Sequence, residues 1–175
     1  GVPAAGLRQH GAAPMSGAGN GRLTILVSLC VAMLLMILPM PEWARPFRPQ
    51  WVTLFLLYWA IALPHRVGVG SGFATGIVLD VLTGTLLGQH ALGLSIVTFI
   101  AIQLHQRIRV FPFWQQSLGI LVLLVIEHLL ALWVTGATQG VTPGLVYWAV
   151  PPIGALLWPW VFVTLRKTRR HFKVI

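Results

Sequence analysis

The sequence predicts an all-α polytopic integral membrane protein with about six transmembrane helices and both termini in the cytoplasm. Of its 175 residues, 57% are hydrophobic and 9% are charged, whereas a soluble domain carries roughly 25% charged residues. Long apolar runs alternate with short segments that contain proline, glycine and basic residues. So few charges cannot cover a water-exposed surface, and the high aliphatic content excludes a disordered protein.

Six apolar runs are candidates for spanning helices, each of which needs about 20 residues to cross a bilayer. They cover residues 23–40, 51–63, 67–88, 91–104, 117–134 and 145–165. Pro39 and Pro41 close the first run and Pro64 closes the second, because proline cannot continue a helix. The second and fourth runs are short, so the second and third are also compatible with a tight or re-entrant hairpin.

The later runs are distinguished by what interrupts them. The third is rich in glycine and contains a single acid, and the fifth contains one Glu-His pair. The sixth contains Pro151, Pro152 and Pro159, which favour a broken or kinked helix.

The basic residues predict the orientation. If the N-terminus is inside, Arg45 and Arg48 lie outside beside Glu42, and the other ten of the twelve lysines and arginines lie inside. These ten are Arg8, Arg22, Arg66, Arg107, Arg109, Arg166, Lys167, Arg169, Arg170 and Lys173. Because short cytoplasmic loops carry an excess of Lys and Arg, both termini are predicted to be cytoplasmic.

The chain is predicted to have three parts: a flexible N-terminal leader over residues 1–22, one transmembrane helical domain over residues 23–165 and a basic cytoplasmic tail over residues 166–175. Residues 1–14 are small and polar, and Met15 is a candidate native start, so we expect these residues to be a non-native leader or an upstream extension. The tail follows a span directly and is expected to lie against anionic headgroups, which contribute about 1 kcal/mol per basic residue. This placement explains the net charge of +9 without a nucleic-acid partner.

A stripe of small residues runs along the third span. Gly72, Gly76, Asp80, Gly84 and Gly88 recur every four residues, a spacing that places them on one slowly rotating helical face. Small residues allow another backbone to approach closely. The stripe is therefore a candidate seam for packing with a helix of the same chain or of a partner.

Three polar residues inside spans form a candidate intramembrane network: Asp80, Glu127 and His128. An acid in a span must be buried, paired or neutral, so Asp80 is either a proton, cation or cationic-ligand site or a hydrogen-bonded packing residue that caps a broken helix. Glu127 and His128 are adjacent and point about 100° apart on a helix, so they cannot both face one partner. They either relay or sense protons or bond to a neighbouring span.

No cofactor, metal site or catalytic activity is predicted. The single cysteine, Cys30, excludes a disulfide framework and a cysteine-ligated metal site. His90, His105 and His128 lie on separate elements without the spacing of a zinc site. No serine has the motif context of a hydrolase nucleophile.

Four motifs resemble the MreD family of rod shape-determining proteins from Gram-negative bacteria. They lie in the same order and at similar spacing as in that family. These are residues 62–67 (ALPHRV), 76–92 (GIVLDVLTGTLLGQHAL), 107–116 (RIRVFPFWQQ) and 157–160 (LWPW, followed by the basic tail). The resemblance covers residues 23–175 and does not include the leader.

This resemblance implies a small inner-membrane protein of about six helices, similar in fold to the substrate-binding subunits of energy-coupling-factor transporters. It also implies a non-catalytic scaffold or regulator of the cell-wall elongation complex that works with MreC in peptidoglycan synthesis and rod shape. MreB, RodA and a penicillin-binding transpeptidase are implied as members of the same complex. The small-residue seam would then be a docking face for a partner helix. The candidate cytoplasmic or lipid contacts are Arg66, Arg107, Arg109, Arg166, Lys167, Arg169, Arg170 and Lys173.

An alternative function is a small-molecule transporter or a substrate-binding membrane subunit. Asp80, Glu127 and a helix broken near Pro151 could together build a site at the middle of the membrane. A pocket with convergent polar groups would distinguish this alternative from a scaffold.

Overall fold

The computed structural model describes residues 16–174, which form six α-helices and two short 3₁₀ helices without a strand. The α-helices are α1 (Ser16–Ile37), α2 (Trp51–Ala62), α3 (Val69–Thr83), α4 (Gln89–Val110), α5 (Phe113–Gln139) and α6 (Val150–His171). The 3₁₀ helices, Arg45–Phe47 and Leu145–Ala149, precede α2 and α6. The predicted all-α class is confirmed. Residues 1–15 of the predicted leader, with Arg8, lie outside the described residues, and residues 16–22 form the first turns of α1.

Four helical segments are long and apolar enough to cross a membrane: Gly19–Ile37, Gln89–Val110, Phe113–Gln139 and Leu145–His171. Many of their large apolar side chains face outward; Leu156, for example, is 81% exposed. In water such a surface would be unfavourable, whereas lipid is the solvent it fits. The protein is therefore a multi-pass membrane protein.

The predicted length of the fourth span is wrong. Helix α4 has 22 residues instead of the 14 of residues 91–104, because it continues through a polar last turn that contains Arg107 and Arg109. Basic residues are favourable at a helix C-terminus, where they complement the helix dipole. The same effect extends α6 to His171, so the first six residues of the predicted tail are helical.

Helix α2 forms the core of the bundle although it has only 12 residues. Every residue from Val52 to Ala62 is buried, as expected for a helix that is apolar all round. It packs against α1, α4 and α6. The indole N–H of Trp59 donates a hydrogen bond to Oγ of Ser28 in α1 (2.8 Å), which satisfies the one polar atom of the buried ring.

Helix α3 is shorter than the predicted third span, which covered residues 67–88. Helix α3 ends at Thr83, and both Gly84 (φ 67°) and Gly88 (φ 103°) have left-handed backbone conformations in the turn to α4. Glycine adopts such conformations without the steric cost of a Cβ. The stripe is therefore not one continuous helical face: Gly72, Gly76 and Asp80 lie on α3, and the last two glycines form the turn.

Candidate functional site

Asp80 joins the end of α3 to the beginning of α4. Its side chain is fully buried. Oδ2 accepts the backbone N–H of Gly88 (2.8 Å) and, more distantly, of Ala91 (3.4 Å). Oδ1 accepts the backbone N–H of His90 (2.9 Å) and the hydroxyl of Thr85 (2.9 Å). The first amides of α4 have no partner within their own helix, so Asp80 acts as an N-terminal cap supplied by the preceding helix.

His90 completes this cluster, which we call the Asp80 cap. Its Nδ1 lies 2.7 Å from Oδ1 of Asp80, and its side chain is 20% exposed. An imidazolium at this position would neutralise the buried carboxylate, and a neutral ring could donate the same hydrogen bond. The sequence gives no signal that connects His90 to Asp80, because the two residues are ten positions apart on different helices.

Glu127 connects α5 to α2. Its Oε2 accepts the hydroxyl of Thr53 (2.7 Å) and the side-chain amide of Gln50 (3.1 Å), and its residue is 3% exposed. A Cβ added at Gly93 of α4 would lie 3.1 Å from Cγ of Glu127. The carboxylate is therefore held among three helices.

His128 contacts a different element from Glu127, as expected for adjacent residues that point about 100° apart on a helix. Its Nε2 lies 2.8 Å from the backbone carbonyl oxygen of Tyr147, and the two rings are stacked with centroids 3.8 Å apart. This contact fixes the 3₁₀ helix Leu145–Ala149 against α5.

The three predicted network residues thus belong to three separate contacts. Asp80 bonds within the α3–α4 turn, Glu127 bonds to α2, and His128 bonds to the segment before α6. No hydrogen bond joins any two of them among the described residues. Within residues 16–174, no three His, Cys, Asp or Glu side chains come close enough to hold a metal ion.

The helical part of the small-residue seam packs within the chain. A Cβ added at Gly76 would overlap the backbone of Ala91 in α4. A Cβ added at Gly72 would lie 2.7 Å from Oγ1 of Thr98 and 2.9 Å from the carbonyl oxygen of Leu94. These two glycines therefore set the close approach of α3 to α4 and are covered by it.

The predicted cytoplasmic basic residues lie at one end of the bundle. Arg109 donates hydrogen bonds to the carbonyl oxygens of Ile61 (3.0 Å) and Ala62 at the C-terminus of α2. Arg66 lies over Gly21 near the beginning of α1. The remaining members are exposed or half-buried on the last turns of α4 and α6 or just beyond: Arg107, Arg166, Lys167, Arg169, Arg170 and Lys173.

An open apolar groove, the α1/α6 groove, separates two helices that both pack on α2. Its volume is about 600 Å³, and Phe55 of α2 lines it between the two helices. Four hydroxyl groups line it, those of Thr24, Ser28, Thr164 and Thr168. Each donates to a backbone carbonyl oxygen of its own helix at 2.7–3.0 Å. Since these hydroxyl donors are satisfied, the accessible surface of the groove is mainly apolar.

Comparison with known proteins decides the family. A family model described as rod shape-determining protein MreD matches residues 19–168. The chain belongs to the MreD family. The rod shape-determining protein MreD of Haemophilus influenzae is 35% identical over 155 residues, which cover 86% of this chain and 93% of the relative. No solved structure matches the chain, so the implied similarity to energy-coupling-factor subunits stays a prediction.

Membership of the MreD family assigns the chain a role in cell shape. The match includes the Asp80 cap, Glu127, His128 and nearly all of the α1/α6 groove, and it ends before Arg169. The resemblance read from the four sequence motifs is confirmed.

Proposed function

We propose that this MreD-family protein is a non-catalytic scaffold of the bacterial inner membrane that partners MreC and regulates the cell-wall elongation complex during peptidoglycan synthesis. MreB, RodA and a penicillin-binding transpeptidase act in the same complex. The observation that carries the proposal is the α1/α6 groove, an open apolar surface on a protein from a shape-determining family.

The internal polar groups support a scaffold. Both oxygens of Asp80 accept hydrogen bonds from the chain, and Glu127 accepts two more. Carboxylates that are hydrogen-bonded within the chain hold its helices together, and few of their acceptor sites remain free to bind a polar substrate. The alternative of a small-molecule transporter requires such groups to converge on a pocket, and we do not propose it.

The occupant we assign to the α1/α6 groove is the apolar membrane-spanning helix of MreC. The groove follows α1 from Asn20 to Leu35, a rise of roughly 22 Å, compared with a hydrocarbon core of about 30 Å. The four serine and threonine side chains of the groove are small and their hydroxyls are satisfied, which allows the close van der Waals packing that drives helix association in lipid. Gly72 and Gly76 pack against α4, so we propose this groove, in place of the helical part of the seam, as the partner surface.

The proposed topology has six membrane-embedded helices with both termini in the cytoplasm. It is supported by the clustering of Arg66, Arg109 and the beginning of α1 at one end of the bundle. Helices α2 and α3 are short, and we propose that they cross the membrane surrounded by the longer helices of the bundle. The basic end of α6 would then lie against anionic lipid headgroups of the inner leaflet.

Co-purification from membranes in mild detergent tests the proposal with a matched pair of variants. Val27 lines the groove and Val122 of α5 does not, and both are 54% exposed. Val27→Trp is expected to weaken the binding of MreC about fivefold to a hundredfold, since overpacking costs about 1–3 kcal/mol. Val122→Trp should leave recovery unchanged. Equal recovery with both variants would overturn the assignment of the groove, and no recovery of MreC with the unmodified chain would overturn the partnership itself.

A further inference from the structure

A second groove, between α1 and α3, has the composition of a phospholipid site. It encloses about 340 Å³. Apolar side chains such as Ile25, Leu29 and Ala74 line it together with the hydroxyl-bearing Ser71, and two arginines, Arg22 and Arg66, also contribute to its wall. Apolar walls with two guanidinium groups match a lipid chain with an anionic headgroup.

The two arginines belong to the same end of the groove. Arg22 lies near the beginning of α1, and Arg66 lies in the turn before α3 and over Gly21. The first amides of α3, at Val69 and Gly70, point toward this end and have no acceptor within their helix. The positive end of the helix dipole therefore adds to the two arginine charges.

No carboxylate of the described residues balances this charge. Asp80 lies near the far end of α3, and Glu127 bonds to the first turn of α2. Glu42 lies beyond the opposite end of α1. Two guanidinium groups in the wall of one groove attract an anion that can lie between them.

Arg66 also contains an unpaired donor. Its Nη1 is buried and has no hydrogen-bond partner among the described residues. A buried guanidinium donor without an acceptor is unfavourable, and a phosphate oxygen is the acceptor that matches its geometry.

We infer that the α1/α3 groove binds one anionic phospholipid, with its phosphate between Arg22 and Arg66 and an acyl chain between α1 and α3. The lipid comes from the inner leaflet, a statement that rests on the orientation in the proposed function. This is a discrete site, distinct from the diffuse attraction of the basic end of α6 for a charged surface. It would seal the gap between α1 and α3, which make few direct contacts.

Native mass spectrometry of the full-length purified protein tests the inference, with dioleoyl phosphatidylglycerol and dioleoyl phosphatidylcholine as the added lipids. The unmodified chain is expected to retain one phosphatidylglycerol at least about tenfold more tightly than phosphatidylcholine. Arg22→Gln with Arg66→Gln should abolish that preference, and Arg22→Gln alone should weaken it several-fold. Since Arg22 is exposed, the single variant Arg22→Gln is expected to fold. It therefore tests the inference even if the double variant fails to fold.

Two controls separate a site from general electrostatics and from lost folding. Arg45→Gln removes one charge from an exposed residue at the other end of the bundle and should leave lipid retention unchanged. Ala74→Phe fills the groove without a change of charge and should abolish retention, whereas Ala137→Phe on the exposed end of α5 should not. Equal loss with Arg22→Gln and Arg45→Gln, or full retention with Ala74→Phe, would overturn the inference.

The readout does not depend on MreC, so the two proposals can fail separately. Loss of MreC recovery with intact lipid selectivity would contradict only the proposed partnership. Loss of lipid selectivity with intact MreC recovery would contradict only the lipid site.

Discussion

The carboxylate of Asp80 accepts the backbone N–H of His90 at 2.9 Å, so the last turn of α3 caps the first turn of α4. The cap joins two helices that also approach each other closely at Gly76. In a membrane, an amide without an acceptor is more costly than in water, since lipid offers no hydrogen bond. The presence of a buried acid at position 80 is thus explained by the backbone N–H groups whose hydrogen bonds it accepts.

Replacing Asp80 is expected to destabilise the protein strongly. Asp80→Ala leaves the amides of Gly88 and His90 without their acceptor and should lower the free energy of unfolding by about 3 kcal/mol. Asp80→Asn keeps one acceptor and should lose less. Denaturant titration in detergent micelles measures both, with exposed Glu42→Ala as the control. Asp80→Ala behaving like Glu42→Ala would contradict the cap.

Gly76 is expected to tolerate no side chain. Gly76→Ala places a Cβ into the backbone of Ala91 and should reduce stability by about 1–3 kcal/mol. Gly119→Ala is the matched control, because nothing lies within 4 Å of a Cβ at that position of α5. It should be neutral or stabilise by up to about 1 kcal/mol, the propensity difference between Ala and Gly. The same denaturant titration in detergent micelles compares both variants, and equal stability would mean that α3 and α4 do not meet at Gly76.

The sequence predicted that Gly72, Gly76 and Asp80 are important for packing, but it did not predict which residues they contact. The spacing of Gly72, Gly76 and Asp80 marked α3 as a packing face, yet the same period continued through Gly84 into a turn. A four-residue period does not reveal where a helix ends, since a left-handed glycine and a helical glycine read the same. The partner of Asp80, His90, is ten positions away across that turn, and a pattern within one helix gives no signal for it.

The two proposed partner surfaces could not be predicted from the sequence. The α1/α6 groove exists because α1 and α6 pack on α2 without closing over it, a property of tertiary arrangement. The sequence did predict the apolar character of the helices and the concentration of arginines at one end, because both follow from composition and order alone.

Thr53 and Glu127 are expected to be energetically coupled. A double-mutant cycle with Thr53→Val and Glu127→Leu, each of which removes the hydrogen bond, should give a coupling of about 0.6 kcal/mol and at most about 1.7 kcal/mol, the mean and the maximum measured for interhelical hydrogen bonds in lipid. Unfolding titrations of the four proteins supply the cycle. Additive effects would mean that the 2.7 Å contact contributes nothing to the association of α2 with α5.

The orientation is tested by labelling introduced cysteines in a Cys30→Ala background. Val141, after α5, and His65, before α3, are both exposed and lie on opposite sides in the proposed topology. A membrane-impermeant maleimide applied to intact cells should label Val141→Cys. It should label His65→Cys only after the inner membrane is permeabilised. The reverse pattern would invert the topology, and labelling of both in intact cells would contradict the proposed number of crossings.

Photo-crosslinking in living cells tests the central claim most directly. A benzoylphenylalanine in place of Val27, inside the α1/α6 groove, should form a covalent adduct with MreC on irradiation. The same residue in place of Val122, equally exposed but on α5, should form none. An adduct from Val27 alone is the result that the scaffold account predicts; an adduct from Val122 without one from Val27 would contradict it.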